Sequence, residues 1–135
     1  MNITADTNIL VRIVVRDDAA QAHMAAGILD GAEMVLVPLP ALCELVWVLE
    51  KVYRFPRDAI ALAVRTIIER SNVSTDLASA TAGLQLIDAG GDFADGVIAA
   101  AGAAMGGETF VTFDRKAVAR LGSIGIAARL ADEMK

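Results

Sequence analysis

The chain has few of the residues that build disulfide frameworks or zinc sites. Cys43 is the single cysteine and His23 the single histidine among 135 residues. One cysteine cannot form an internal disulfide, which favours the cytoplasm, and Cys43 is expected to be a small buried hydrophobe. Without clusters of Cys or His there is no basis for a zinc site, and His23 is expected to be a surface histidine or one with its hydrogen bonds satisfied, rather than a metal ligand.

Long apolar runs are also missing, although apolar residues are abundant. Hydrophobic residues make up 56% of the sequence and the mean hydropathy is +0.53. The longest stretch without a charge, 96–107, is still far shorter than the roughly 20 residues that a membrane-spanning helix needs. No export signal is evident at the N-terminus. The sequence therefore predicts a soluble, non-membrane protein, with residues 1–135 forming one domain around a large core.

Positive charge is scarce as well. Lys and Arg number 12 against 17 Asp and Glu, which gives a net charge of −5. This balance argues against a protein that coats nucleic acid through a broad basic surface. It does not exclude a nuclease, because acidic side chains that hold cations reverse the local charge. Four basic side chains are candidates for phosphate contacts, although scattered cations are usually just solvated: Arg12, Arg16, Arg115 and Lys116.

A regular alternation of short strands and helices is present. Strands are predicted at 2–5, 33–38, 72–75, 108–114 and 125–129. Helices are predicted between them at about 7–15, 17–31, 40–53, 56–70, 76–91, 92–105 and 115–122. This order predicts an α/β protein, a three-layer α/β/α sandwich with a mainly parallel sheet. Ligands of such sheets bind beyond the carboxyl ends of the strands.

Four carboxylates interrupt apolar segments near those strand ends. Asp6 follows the first strand and Asp114 the strand TFVTF, while Glu44 and Asp95 are each the only charge in an apolar helical segment. A buried carboxylate without compensation is costly enough to protonate, so four of them need a shared explanation. Glu44 is the hardest to explain structurally, because its helix looks buried and Trp47, one turn on, is expected in the core.

A divalent metal ion supplies that explanation. Mg²⁺ takes oxygen ligands, and a bound cation removes the repulsion that raises the pKa values of clustered acids. Mg²⁺ or Mn²⁺ on carboxylates suits phosphodiester hydrolysis, because the metal activates water and stabilises charge on the attacked phosphate. Asp6 and Asp95 are the strongest candidate ligands. Asp95 also lies in the first turn of its predicted helix, where negative charge is favoured.

Several of the polar residues also suit purely structural roles. Asp92 and Asp114 are candidates for the N-caps of the helices that follow them. Thr7 or Asn8 would likewise suit the start of the first helix, although both side chains could instead orient Asp6. These alternatives stay open on the sequence alone.

Four segments in sequence order resemble the PIN-domain ribonucleases: ADTNIL, a helical glutamate near one third of the chain, GDFADGVIAA and TFVTFDRKA. Within that family the chain is similar to the VapC toxins of VapBC toxin–antitoxin modules. The resemblance covers nearly the whole chain, and the four segments together are fairly specific. It implies a Mg²⁺- or Mn²⁺-dependent endoribonuclease that hydrolyses RNA with metal-activated water.

The resemblance also implies roles for individual residues. Four acids match the acidic quartet of the family, and four neighbours match auxiliary positions: Asp6, Glu44, Asp95 and Asp114, with Thr7, Asn8, Asp92 and Thr112. Gly96 stands where the family often has alanine, which is expected to loosen the start of that helix. The implied partners are RNA, a second copy of the chain in a homodimer, and a VapB-type antitoxin whose C-terminal segment occupies the active-site groove.

Three other functions compete with a toxin. A PIN nuclease that processes RNA outside a toxin module would use the same chemistry. A non-catalytic partner-binding module of the same fold is disfavoured because all four acids are retained. A phosphoryl-transfer domain is disfavoured as well: the strand EMVLVP ends without an acid, and Asn8 stands where a phosphatase of the haloacid-dehalogenase type would have its second Asp.

Overall fold

A computed structural model describes residues 1–134. These residues form two compact units, Met1–Asp76 and a second that begins at Leu77.

The first unit contains three parallel strands and four helices. In chain order they are β1 (Asn2–Thr4), α1 (Thr7–Val14), α2 (Ala19–Gly31), β2 (Met34–Leu36), α3 (Leu39–Lys51), α4 (Arg57–Ile68) and β3 (Val73–Ser74). The strand order is β1-β2-β3, with Ile3 opposite Val35 and Val35 opposite Val73. Because all three strands are parallel, their carboxyl ends share one edge of this sheet.

The core of the first unit is built from one apolar stripe on each helix. On α3 the buried residues recur at the three- and four-residue spacing of a helix: Leu42, Leu45, Val46 and Leu49. α4 buries Ile60, Ala61, Val64 and Ile67 with the same spacing. α1 packs against α2 and α3, and α3 packs against α4.

The second unit contains three helices and one parallel strand pair. In chain order they are α5 (Leu77–Asp88), α6 (Phe93–Ala104), β4 (Phe110–Thr112), α7 (Arg115–Ser123) and β5 (Ala128–Leu130), followed by a 3₁₀ turn at Ala131–Glu133. β4 and β5 pair with Val111 opposite Arg129. Leu86, Ala99 and Leu121 are buried together beneath this pair.

Two glycines let α5 and α6 approach each other closely. A Cβ atom on Gly83 would stand 2.7 Å from the Phe93 ring. A Cβ atom on Gly96 would stand 2.7 Å from the carbonyl oxygen of Ala82 and 2.8 Å from the Cα of Gly83, which are backbone atoms with little room to move. Gly96 is thus a packing requirement of the α5–α6 contact, which gives the departure from alanine a structural reason.

Replacing Gly96 with alanine is therefore expected to destabilise the protein. Alanine is favoured over glycine inside a helix by about 1 kcal/mol, but overpacking against fixed atoms costs about 1–3 kcal/mol. We expect the cost of overpacking to exceed the gain in helix propensity. The midpoint of urea unfolding at equilibrium should therefore be lower for Gly96→Ala. Gly102→Ala is the matched control, because nothing lies within 4 Å of a Cβ atom there. A Gly96→Ala variant as stable as the Gly102→Ala variant would contradict the packing argument.

The predicted fold class, a mainly parallel α/β/α fold, is confirmed. Each predicted strand and helix is found within residues 1–134, with boundaries that differ by a few residues. Among these residues, no helix combines the length and the apolar character needed to cross a membrane. The organisation of 1–135 as a single domain stays a prediction.

Candidate active site

Asp6 lies where β1 turns into α1. The Ala5 N–H donates to the carbonyl of Leu36 at 3.0 Å, which extends the strand pairing by one residue. Asp6 then adopts an extended conformation as the N-cap of α1, and its Oδ1 accepts from the Thr7 N–H at 2.8 Å. The expectation that Thr7 or Asn8 caps this helix is wrong, because both residues already lie inside α1.

The two neighbours of Asp6 differ in their surroundings. Thr7 is 5% exposed and is one of the few buried polar residues in the described chain. Asn8 is exposed and lines a groove of about 410 Å³ between α1 and α2. Asn8 is therefore the auxiliary residue beside Asp6 whose amide is accessible from solvent.

Glu44 lies on the exposed face of α3. The prediction that its charge is buried is wrong, and so is the prediction that Trp47 belongs to the core, since Trp47 is 57% exposed. The reason is that α3 buries only one stripe, although almost every residue from 39 to 49 is apolar. Glu44 and Trp47, three residues apart, share the opposite side of the helix. Cys43 is half-buried rather than fully buried.

The start of α6 carries two acids. Asp92 occupies the N-cap position with extended backbone, but among residues 1–134 its side chain makes no capping hydrogen bond. Asp95 is half-buried in the first turn, as predicted. Asp92 is therefore the N-cap of α6 by position, as predicted, but without such a bond from its side chain, and the residue is exposed to solvent.

Asp114 is held by hydrogen bonds on both sides. Its Oδ1 accepts from the backbone N–H groups of Lys116 at 2.9 Å and Ala117 at 3.3 Å, so it is the N-cap of α7. Its own N–H donates to Thr112 Oγ1 at 3.1 Å. Thr112 thus fixes the turn from β4 into α7, and Oδ2 of Asp114 takes no part in the cap.

The acids of the second unit repel one another. Burial raises the pKa of Asp95 above its usual range, and the negative charges of Asp92 and Asp114 raise it further. Within residues 1–134, none of these three carboxylates forms an ion pair with Lys or Arg. Asp17, by contrast, is paired with Arg12 at 2.7 Å. The charge around Asp95 is therefore not neutralised by a basic side chain of the described chain.

Burial distinguishes Asp95 from the rest of the quartet. The prediction that all four acids occupy costly buried positions is wrong for Asp6, Glu44 and Asp114, which are exposed. Asp6 and Asp114 are exposed because each caps a helix at the point where the chain leaves a strand. Asp95 is therefore the member of the quartet whose ionised form is disfavoured by burial.

These donors fit a hard divalent cation better than a soft one. The candidate ligands are carboxylates, with hydroxyl and amide groups beside them, and oxygen donors are what Mg²⁺ and Mn²⁺ prefer. His23 is exposed on α2, as predicted. Within the described residues, no group of three or more His, Cys, Asp or Glu is arranged to hold a metal ion. Mg²⁺ usually keeps several water ligands and uses only one or two carboxylates, so the donor set is compatible with it.

A family model decides the classification of the chain. The model for the PIN domain matches residues 3–122. The chain belongs to the PIN domain family. Among curated proteins, none matches this PIN-domain chain. PIN domains are generally metal-dependent nucleases and typically use Mg²⁺ or Mn²⁺.

The matched region of the PIN domain includes every predicted site residue. Asp6, Thr7, Asn8 and Glu44 lie in the first unit, and Asp92, Asp95, Thr112 and Asp114 lie in the second. Phe113 was not among the predicted site residues, but it is 86% exposed and directly precedes Asp114. It lies between the last residue of β4 and the N-cap of α7.

Proposed function

We propose that this PIN-domain protein is a Mg²⁺- or Mn²⁺-dependent endoribonuclease of the VapC type, the toxin of a toxin–antitoxin module that acts in the cytoplasm. The observation that carries the proposal is the environment of Asp95. Burial raises the pKa of its half-buried carboxyl, the charges of Asp92 and Asp114 raise it further, and no Lys or Arg of residues 1–134 is paired with it. A divalent cation relieves such repulsion.

The four acids of the quartet are all required for activity in this proposal. Asp6, Glu44, Asp95 and Asp114 are the carboxylates from which the metal would take its protein ligands, and a bound metal would activate water and stabilise charge on the attacked phosphate. Asp92 adds negative charge next to Asp95.

The auxiliary residues have positioning roles. Thr112 holds the backbone of Asp114, and the two N–H bonds to Oδ1 of Asp114 restrict its carboxylate to one orientation. Asn8 is exposed two residues after Asp6, and in this proposal its amide orients either that carboxylate or the substrate.

The partners follow from the resemblance to VapC toxins. We propose a homodimer that is inhibited by a VapB-type antitoxin, with RNA as the substrate. Expression of the protein alone is expected to arrest growth, and co-expression of a small neighbouring gene product is expected to relieve the arrest. A nuclease that processes RNA outside a toxin module would cleave RNA in vitro without this pattern of arrest and relief.

The decisive experiment compares Asp6→Asn with the unaltered protein in an RNA cleavage assay. Asparagine is as good an N-cap as aspartate, so α1 should stay intact while the charge is lost. We expect cleavage in Mn²⁺ to fall about 100-fold, in the range found when one electrostatic group of an active site is removed. EDTA should abolish cleavage by the unaltered protein.

Asp58→Asn is the matched control for Asp6→Asn. Asp58 accepts from the next N–H in the chain, as Asp6 does, but at the start of α4. This control variant should cleave RNA normally. Full activity of Asp6→Asn would rule out the metal role, and absence of any cleavage by the unaltered protein would favour a non-catalytic module.

A further inference from the structure

We propose that Phe113 is a positioning residue that stacks on a nucleobase next to the scissile phosphate of single-stranded RNA. The inference deepens the proposed function and rests on it, because the scissile phosphate is placed by the role given to Asp114. It concerns a side chain that no other part of the mechanism uses.

The exposure of Phe113 is unusual for this chain. All six aromatic residues lie in the described part, and Phe113 is the most exposed of them at 86%. Phe93 is buried, while Tyr53, Phe55 and Phe110 are half-buried. Trp47, the next most exposed, also lies within one helical turn of an acid of the quartet, Glu44. The two most solvent-accessible rings thus neighbour proposed metal ligands.

The usual structural role for an apolar residue at this position is not used. Phe113 directly precedes the N-cap of α7, where a hydrophobic side chain commonly packs against the fourth helical residue, here Val118. Phe113 is 86% exposed, so most of its side-chain surface contacts water and not Val118. Burying that surface against a ligand would be favourable.

The backbone around Phe113 is fixed on both sides. Thr112 belongs to β4, and its Oγ1 accepts from the Asp114 N–H at 3.1 Å. Phe113 therefore lies in a turn that this hydrogen bond closes. Asp114 is then tied to α7 through its two capping hydrogen bonds. A side chain carried on such a turn loses little backbone entropy when it binds a ligand.

The charges next to Phe113 favour RNA over a protein surface as its occupant. Arg115 and Lys116 are both exposed in the first turn of α7, the end of a helix where cations are disfavoured. Two cations and an aromatic ring beside a carboxylate match a nucleotide, which offers an anionic phosphate and a flat base. A phosphate attacked near Asp114 would bring its flanking base within reach of the adjacent residue.

The test measures single-stranded RNA binding in EDTA, where cleavage does not interfere, for Phe113→Leu and Phe113→Trp. Base stacking on an aromatic residue predicts roughly 5- to 100-fold weaker binding for Phe113→Leu and near-normal binding for Phe113→Trp. Met105→Ala is the control, since Met105 is 88% exposed at the far end of α6 from Asp95. This control should bind RNA normally.

An oligonucleotide series then assigns the effect to one base. Abasic sites placed in turn around the cleavage position should make Phe113→Leu and the unaltered protein equivalent at one position only. In Mn²⁺ assays, the KM of Phe113→Leu should rise more than its kcat falls. If binding and KM are unchanged while the unaltered protein still cleaves RNA, the stacking role is wrong and the nuclease assignment survives.

A protein occupant of this ring is a distinct outcome. If Phe113→Leu shifts the sedimentation of the protein from dimer to monomer and leaves RNA binding unchanged, Phe113 is an interface residue and the proposal is overturned. If the unaltered protein binds RNA in a Phe113-dependent manner but never cleaves it, the proposed function fails while the stacking contact stands.

Discussion

Asp95→Asn is expected to lower RNA cleavage about a thousandfold and, in the metal-free protein, to raise the melting temperature. The loss of activity follows from removing the half-buried charge among the proposed metal ligands, because preorganised electrostatics have large effects in active sites. The gain in stability follows from burial and from the repulsion by Asp92 and Asp114, which make the ionised form of Asp95 costly. Activity and stability should thus move in opposite directions.

The pH dependence of this stability gain has a defined sign. Because the native pKa of Asp95 is raised above the usual value of 3.8, the native state binds its proton more tightly than the unfolded chain does. The contribution of that proton is fully present below pH 3.8 and is lost as the pH rises through the raised native pKa. Asparagine should therefore stabilise the metal-free protein at neutral pH and lose this advantage in acid.

Mn²⁺ should reduce the stability advantage of Asp95→Asn over the unaltered protein. A ligand that binds only the native state raises the melting temperature, so Mn²⁺ should raise that of the unaltered protein more than that of Asp95→Asn. Glu108→Gln, an exposed substitution in the second unit, is the control and should respond like the unaltered protein. Equal shifts in all three proteins would contradict a metal role for Asp95.

The sequence predicted the elements of this fold because their signals are local. The helix predicted at about 17–31 is α2, which Asp18 caps by accepting from the Gln21 N–H and which ends at Gly31. Gly90, with φ of +87°, follows the end of α5 as predicted for a glycine at a helix C-terminus. Such features depend on a few neighbouring residues and need no knowledge of tertiary packing.

The burial of the site residues was not predictable in the same way. In α3 almost every residue from Leu39 to Leu49 is apolar, so the sequence does not mark which face meets the core. This apolar pattern predicts that Glu44 and Trp47 lie in the interior, but both are exposed. Gly96 shows the same limit, because its close contact with α5 depends on a helix that ends eight residues earlier in the chain.

Asp114 offers the second large effect, because its carboxylate has a structural and a chemical role that two substitutions separate. Asp114→Asn keeps an oxygen that accepts from Lys116 and Ala117, so α7 should stay capped while RNA cleavage falls about a thousandfold. Asp114→Ala should lose the same activity and, in addition, about 0.5–2 kcal/mol of unfolding free energy through the lost cap.

The cap of α2 provides the control for this separation. Asp18→Ala removes a comparable capping hydrogen bond, but Asp18 is not a proposed metal ligand. The substitution should therefore lower the free energy of unfolding while RNA cleavage persists. Chemical denaturation and initial cleavage rates in Mn²⁺, measured on all three variants, give the comparison. If Asp114→Asn cleaves RNA at the normal rate, the negative charge of Asp114 is not needed for cleavage. Asp114 would then be the N-cap of α7 and not a metal ligand.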